Sequence, residues 1–248
     1  MGIGSRLTCG LFARPITLSL LAAGLAVGSV ATSADAALYT GNSATGFNGA
    51  VGNGTLDIVS DGTNLTITFD QAASLNDVLV LYFDTVAGGF SNTSTFTDSS
   101  DGGRRAVSGF NGTDRTQANF ASGFTADFAL DIAAGYTALF DLESNASHTF
   151  VAGASATGTD PRVVTVPLSA IGSPTAFSFV GTYIAESAFR SNETFGASTT
   201  AGGTNPGNTG SITFTESLAF PAVVPEPASV GVVALALMGA AMRRSRKV

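Results

Sequence analysis

Thr55–Ser60 (TLDIVS) and Leu65–Asp70 (LTITFD) alternate apolar with polar residues on either side of Asp61-Gly62-Thr63-Asn64. A period of two places every apolar side chain of such a segment on one face, which fits a half-buried β-strand and no helix. The residues between are turn formers, so the pair predicts an antiparallel hairpin. A chain assembled from such units buries its apolar faces by stacking one sheet on another.

The pattern recurs. Val78–Phe83 is apolar without a break, as expected of a central strand covered on both faces. Phe124, Ala126, Phe128, Leu130 and Ile132 keep one parity, with Asp127 and Asp131 on the other. Thr137–Leu142, Val163–Leu168 and Ala176–Tyr183 are further candidates, and Ile212, Phe214, Leu218 and Phe220 share one parity. Gly88–Gly112 and Ala197–Gly210 read as loops, and Ala219–Val224 as a spacer. No long amphipathic helix and no fixed-period repeat stands between Ala37 and Val224. The prediction is an all-β fold, a single antiparallel β-sandwich or jelly-roll ectodomain over residues 37–220.

Both ends differ from this body. Arg6 and Arg14 precede an apolar run from Ile16 to Val30, and Ala34-Asp35-Ala36 follows it. Charge, apolar core and small-x-small site in that order predict a signal peptide over residues 1–36, forming a helix and removed by signal peptidase. The run is short for a membrane span, which is the alternative reading. Cys9, the only cysteine, lies before the apolar core rather than after it, the wrong place for lipidation. Cleavage near Ala36 leaves no cysteine, and so excludes disulfides, thiol catalysis and cysteine-based metal sites.

Residues 221–248 read as a spacer and tail. Pro225-Glu226-Pro227 breaks secondary structure, residues 228–242 form an uncharged apolar segment, and Arg243, Arg244, Arg246 and Lys247 close the chain. This order predicts a C-terminal transmembrane helix anchored in the inner membrane, with its basic cluster on the cytoplasmic side. These three parts resemble the PEP-CTERM sorting signal. The resemblance implies recognition by an exosortase-type transpeptidase, tail processing after transient membrane anchoring, and delivery to the cell surface or extracellular matrix. Proteins of this class commonly accompany exopolysaccharide and biofilm systems.

Between Ala37 and Val224 sixteen acidic residues face five arginines and no lysine. Such a surface excludes nucleic acid as partner and attracts divalent cations. Asp77–Thr85 followed by Gly88-Gly89, then Phe124–Asp131, then Val164–Gly172, is similar to the strand order of family 9-like carbohydrate-binding sandwiches. That resemblance implies a sugar-binding sandwich. The family clamps sugar between tryptophans, and this chain has none.

Candidates for chemistry are few. His148 is the only histidine, without a Gly-x-Ser-x-Gly elbow, and reads as an exposed strand-edge residue rather than a triad member. Asp98, Asp101 and Gly102-Gly103 form an acidic turn that suits calcium, opposed by Arg104 and Arg105. Asp127 and Asp131, with Asp84 near them, form a candidate carboxylate group for glycosidase chemistry or calcium. The ordinary reading of the first two is the solvent face of a strand, and of Asp84 a loop organiser. Tyr82, Tyr136, Tyr183 and Phe189 are candidates for a sugar platform.

The sequence therefore predicts a non-enzymatic, exported surface or matrix protein that associates with polysaccharide and needs no cofactor. A calcium-dependent or carbohydrate-binding adhesion module is the alternative, and a secreted hydrolase the third reading.

Overall fold

The computed structural model describes residues 35–221. Residues 1–34, with Ala34 of the predicted cleavage site, Pro225, Glu226 and Pro227, the apolar segment 228–242, and Arg243, Arg244, Arg246 and Lys247 lie outside the described residues. Among the described residues no helix is long and apolar enough to cross a membrane.

The strands are β1 (Asp35–Thr40), β2 (Thr55–Ser60), β3 (Asn64–Asp70) and β4 (Val78–Asp84). A short helix, α1 (Gly102–Ser108), is followed by β5 (Gln117–Asn119), β6 (Phe128–Ile132), β7 (Thr137–Asp141) and β8 (Thr149–Val151). Next come β9 (Ser155–Thr157), β10 (Arg162–Pro167), β11 (Phe177–Ile184) and β12 (Arg190–Phe195). The chain continues through β13 (Ser198–Thr200), β14 (Ser211–Phe214) and β15 (Leu218–Phe220).

The predicted hairpin is β2–β3, paired from Thr55↔Asp70 to Ser60↔Leu65. Its turn is closed by Asp61, whose Oδ1 accepts from the N–H groups of Thr63 (2.8 Å) and Asn64 (2.7 Å). Gly62 takes the positive φ of 83° that the turn requires. This hairpin is the middle of a five-stranded sheet ordered β1-β2-β3-β10-β9. A larger sheet runs β12-β11-β4-β6-β7-β8, with β15 beside β12 on the same edge of β11. Every pairing in both sheets is antiparallel.

The two sheets enclose one core. Leu56, Ile58, Ile67 and Phe69 of the first sheet meet Leu79, Leu81, Phe83, Leu130 and Phe179 of the second, all fully buried. Each such side chain contributes roughly 1.5–3 kcal/mol through removal from water. The unbroken apolar run of β4 has the second face its sequence requires. Val78, Val80 and Tyr82 point away from the sandwich into another core, with Phe96, Val107, Phe120, Phe124, Ile212 and Phe214.

Here the architecture departs from a two-layer sandwich. A third layer covers the large sheet, built from residues 90–124 with α1 and from a small sheet ordered β13-β14-β5. That small sheet contains a parallel pair, β14 with β5. The physical reason is that Val80, Tyr82, Ala129 and Phe140 are apolar on the outer face and must be covered. The segment Gly88–Gly112, read as a loop, supplies much of that cover and contains α1.

α1 has ordinary caps at both ends. Asp101 is its N-cap, with Oδ1 accepting from the Arg104 N–H at 2.8 Å. Gly109, in the left-handed region at φ 60°, ends it.

Candidate functional site

β6, which carries Asp131 and follows Asp127, is covered on both faces. Asp131 pairs with Val80 on β4 and Ala138 on β7, so it lies on the face beneath α1. It is fully buried, and neither carboxyl oxygen has a hydrogen-bond partner. Burial drives its pKa well above the usual carboxylate range, and the charges of Asp101 and Glu186 act in the same direction against Arg104. Asp127 is 6% exposed. The expectation that this pair forms a solvent face is therefore corrected.

Asp127 has a different role from Asp131. Its Oδ2 accepts from the N–H groups of Thr85 (2.9 Å) and Val86 (3.0 Å), turning the chain after β4. Burial raises its pKa, those two bonds oppose the shift, and Asp84 and Asp141 add to it. Asp84 accepts from the Thr125 N–H at 3.1 Å and organises the same corner, as expected of a loop organiser. Four residues of strand, about 13 Å, separate Asp127 from Asp131. The three aspartates therefore do not share one site. Among the described residues no group of three or more His, Cys, Asp or Glu side chains is placed to hold a metal ion.

His148 is 1% exposed, which corrects its reading as an exposed edge residue. Its ring packs edge-on against Phe96, with centroids 4.8 Å apart. Ser108 Oγ lies 2.9 Å from His148 Nε2 and donates to the Asp98 carbonyl at 2.7 Å. The serine hydroxyl has one hydrogen, and giving it to Asp98 leaves Oγ to accept from Nε2–H. Asp98 Oδ2 accepts from the main-chain N–H of His148, not from its ring. The three residues thus tie α1 to the chain before β8. Burial pulls the His148 pKa down to about 4. At Asp98 burial pushes upward, but bonds from Ser100 and His148 outweigh it and the pKa falls.

The surface above Asp131 is a groove. Gly102 and Gly103 open α1 there: a Cβ at Gly103 would stand 2.6 Å from the buried Asp131 Oδ2, and one at Gly102 would displace the exposed Glu186 carboxylate. Arg104 pairs with Asp101 and, at 3.3 Å, with Asp98, and lies over the Phe140 ring at 4.9 Å. Phe150, 57% exposed, packs its ring against Phe140 with centroids 6.3 Å apart. Three adjoining depressions meet at Glu186. One of about 330 Å³ contains Asp101, Tyr136, Phe140 and Phe150. One of about 470 Å³ contains Asp77 and Tyr136, and one of about 590 Å³ contains Arg105 and Asp114. Tyr136 Oη is buried and faces the Glu186 carboxylate, just outside hydrogen-bond geometry. Burial pushes its pKa upward, and Asp131, Glu186 and Asp101 add to the shift.

Of the predicted aromatic platform only Tyr136 lines this groove. Tyr82 and Tyr183 are fully buried, and Phe189, 38% exposed, stacks on Phe47 at 5.8 Å. Glu186, Phe150 and Phe140 have no local motif in the sequence. Their convergence comes from pairings of β11, β4, β6, β7 and β8 that adjacent residues do not encode.

No curated protein and no solved structure matches this chain. Its C-terminal end does match a family model, that of the PEP-CTERM protein-sorting motif, over residues 223–247. The match spans Pro225-Glu226-Pro227, the apolar segment and all four terminal basic residues, two residues beyond the last described position, Pro221. The chain therefore ends in a PEP-CTERM protein-sorting motif, the signal of a protein processed by an exosortase and exported to the cell surface.

Proposed function

We propose that this protein is a non-catalytic component of the cell surface or extracellular matrix, and that its β domain associates with exopolysaccharide in a biofilm. The observation carrying this reading is the sorting motif at residues 223–247, joined directly to a domain that ends at β15. Signal peptidase removes residues 1–36, a cut that trims Asp35 and Ala36 from the start of β1. The apolar segment 228–242 holds the chain in the inner membrane, with Arg243, Arg244, Arg246 and Lys247 on the cytoplasmic side, until the exosortase acts. The catalysis then belongs to the exosortase. The arrangement of the described residues supports a non-catalytic role: Ser108 and His148 are closed to solvent, and the serine hydroxyl is committed to Asp98.

The test has two arms. Cells with and without the exosortase are compared by mass spectrometry of the mature C-terminus. Loss of Arg243–Val248 only when the exosortase is present is the expected result, and an intact end in both strains overturns the sorting mechanism. The second arm measures binding of the released protein to purified exopolysaccharide, with and without EDTA. Binding that survives EDTA supports the present reading, and binding abolished by EDTA supports the calcium-dependent adhesion module instead.

A further inference from the structure

The groove centred on Glu186 has three properties that define a ligand. Its three depressions adjoin, so it accommodates an extended molecule rather than a compact one. It is also electronegative. Asp77, Asp101, Asp114 and Glu186 line it against Arg104 and Arg105. Arg104 is already paired with Asp98 and Asp101, and Arg105 Nε donates to the Glu186 carbonyl at 2.8 Å. Its third property is an aromatic end, where the exposed Phe150 stands beside Phe140 and Tyr136.

Beneath the lining is a fourth observation. Asp131 is fully buried with both oxygens unpartnered, directly under Gly103 and near Tyr136. Natural structures pair nearly all such groups. The carboxylates around Glu186 also oppose one another. Burial and then the Glu186 charge push the Asp77 pKa upward. A cationic ligand lying along the groove relieves that repulsion and weakens the field of Asp101 and Glu186 that opposes ionisation of Asp131, the uncompensated floor.

The negative charge is spread, not focused, since among the described residues no three ligating side chains converge on a metal-sized site. That distribution fits positive charges repeated along a chain better than one ion. Phe150 adds a flat apolar face, on which the C–H face of a pyranose ring packs and beside which an ammonium gains cation–π attraction. We propose that this groove binds a polysaccharide of hexosamine units with free amino groups, one ring seated against Phe150 and the chain passing Glu186 toward Asp114. The proposal rests on the reading that the domain associates with polysaccharide, and it specifies the sugar and the surface.

The mature protein, exported and processed by its own cell, is titrated by calorimetry with four probes. These are a glucosamine hexamer, its fully N-acetylated counterpart, a uronic acid hexamer and hexalysine. The glucosamine hexamer is expected to bind tightest, with the acetylated hexamer and hexalysine weaker by about tenfold or more and the uronate without measurable binding. Glu186→Gln and Phe150→Ala, both at exposed positions, should each weaken the glucosamine hexamer by about tenfold. Asp57→Asn makes the same charge change on β2 of the opposite sheet and should leave binding unaltered.

Equal weakening by Asp57→Asn would show a general charge effect and overturn the site. Hexalysine binding as tightly as the sugar, and indifferent to Phe150→Ala, would assign the groove to basic peptides. Equal binding of the acetylated hexamer would overturn the amino-sugar inference while the polysaccharide reading stands. Failure of every sugar, including the cell's own exopolysaccharide, would overturn both.

Discussion

The Tyr39 hydroxyl donates to the carbonyl of Ala219 over 2.7 Å, joining β1 to β15 across 180 positions of sequence. β1 is the first element among the described residues, and β15 is the last before the sorting motif. β15 itself is slight, three residues paired with Phe177, Ser178 and Phe179 of β11. Its one deep anchor is Phe220, 2% exposed and 5.2 Å from the Phe177 ring. The root of the sorting tail is thus held by one hydrogen bond, one ring and a three-residue ladder.

Tyr39→Phe removes that bond and keeps the ring that packs edge-on against Phe179. The expected loss in unfolding free energy is about 1 kcal/mol, the net value of one such bond. Hydrogen exchange should accelerate at Leu218–Phe220 while β4 stays protected, because opening is local. Unchanged exchange at β15 would show that Phe220 alone holds it.

A stronger constraint lies in β12. Glu193 is fully buried and its carboxylate accepts from four main-chain N–H groups, those of Phe47, Gly49, Val51 and Gly52. These bonds fix the loop between β1 and β2. Glu193→Gln keeps the shape but turns an NH₂ group toward N–H donors. The expected cost is roughly 3–5 kcal/mol, from lost charge-assisted bonds and orphaned donors. Urea denaturation measures it, and a loss below about 1 kcal/mol would mean that the loop holds itself.

Glu193 also marks where the sequence ceased to be readable. The long strands β2, β3, β4, β6, β7, β10 and β11 follow hydrophobic periodicity, and each stands where that periodicity predicts. β12, RSNETF, carries four polar residues that are fully buried, Arg190, Ser191, Glu193 and Thr194. A pattern argument assigns such residues to solvent, whereas here the loop amides satisfy Glu193 and Thr182 Oγ1 accepts from Arg190 at 2.7 Å. Asp131 and His148 were misread for a related reason. Parity shows which residues share a face but not what covers that face, and the cover comes from residues 90–124, distant in sequence. One signal was present. The apolar Val78, Val80 and Tyr82 required a covering layer, and Asp131 sits opposite Val80.

The buried histidine sets one arm of the pH dependence. Its pKa of about 4 lies below the ordinary value of 6.5, so the unfolded chain binds a proton that the folded one refuses. The sign follows from linkage: this stabilisation is complete above pH 6.5 and is lost as pH falls toward 4. Its size is about 3 kcal/mol across the window. Stability of the wild type minus that of His148→Gln should decline by this amount between those limits. A difference that is flat with pH would show that His148 protonates freely in the folded state.

Asp131 supplies the opposite arm. Burial, and with it the charges of Asp101 and Glu186, pushes its pKa well above the usual 3.8. Here the folded state keeps a proton that the unfolded state releases. The contribution is therefore complete below pH 3.8 and is lost as pH rises toward the elevated folded value. Asp131→Asn preserves the shape of the neutral carboxyl and cannot ionise. The variant should equal or slightly trail the wild type near pH 4 and become the more stable of the two by pH 8. The crossover is read from urea midpoints across that range. A variant less stable than the wild type at every pH would mean that the Asp131 carboxylate has a partner in solution, and it would remove the uncompensated floor on which the amino-sugar groove partly rests.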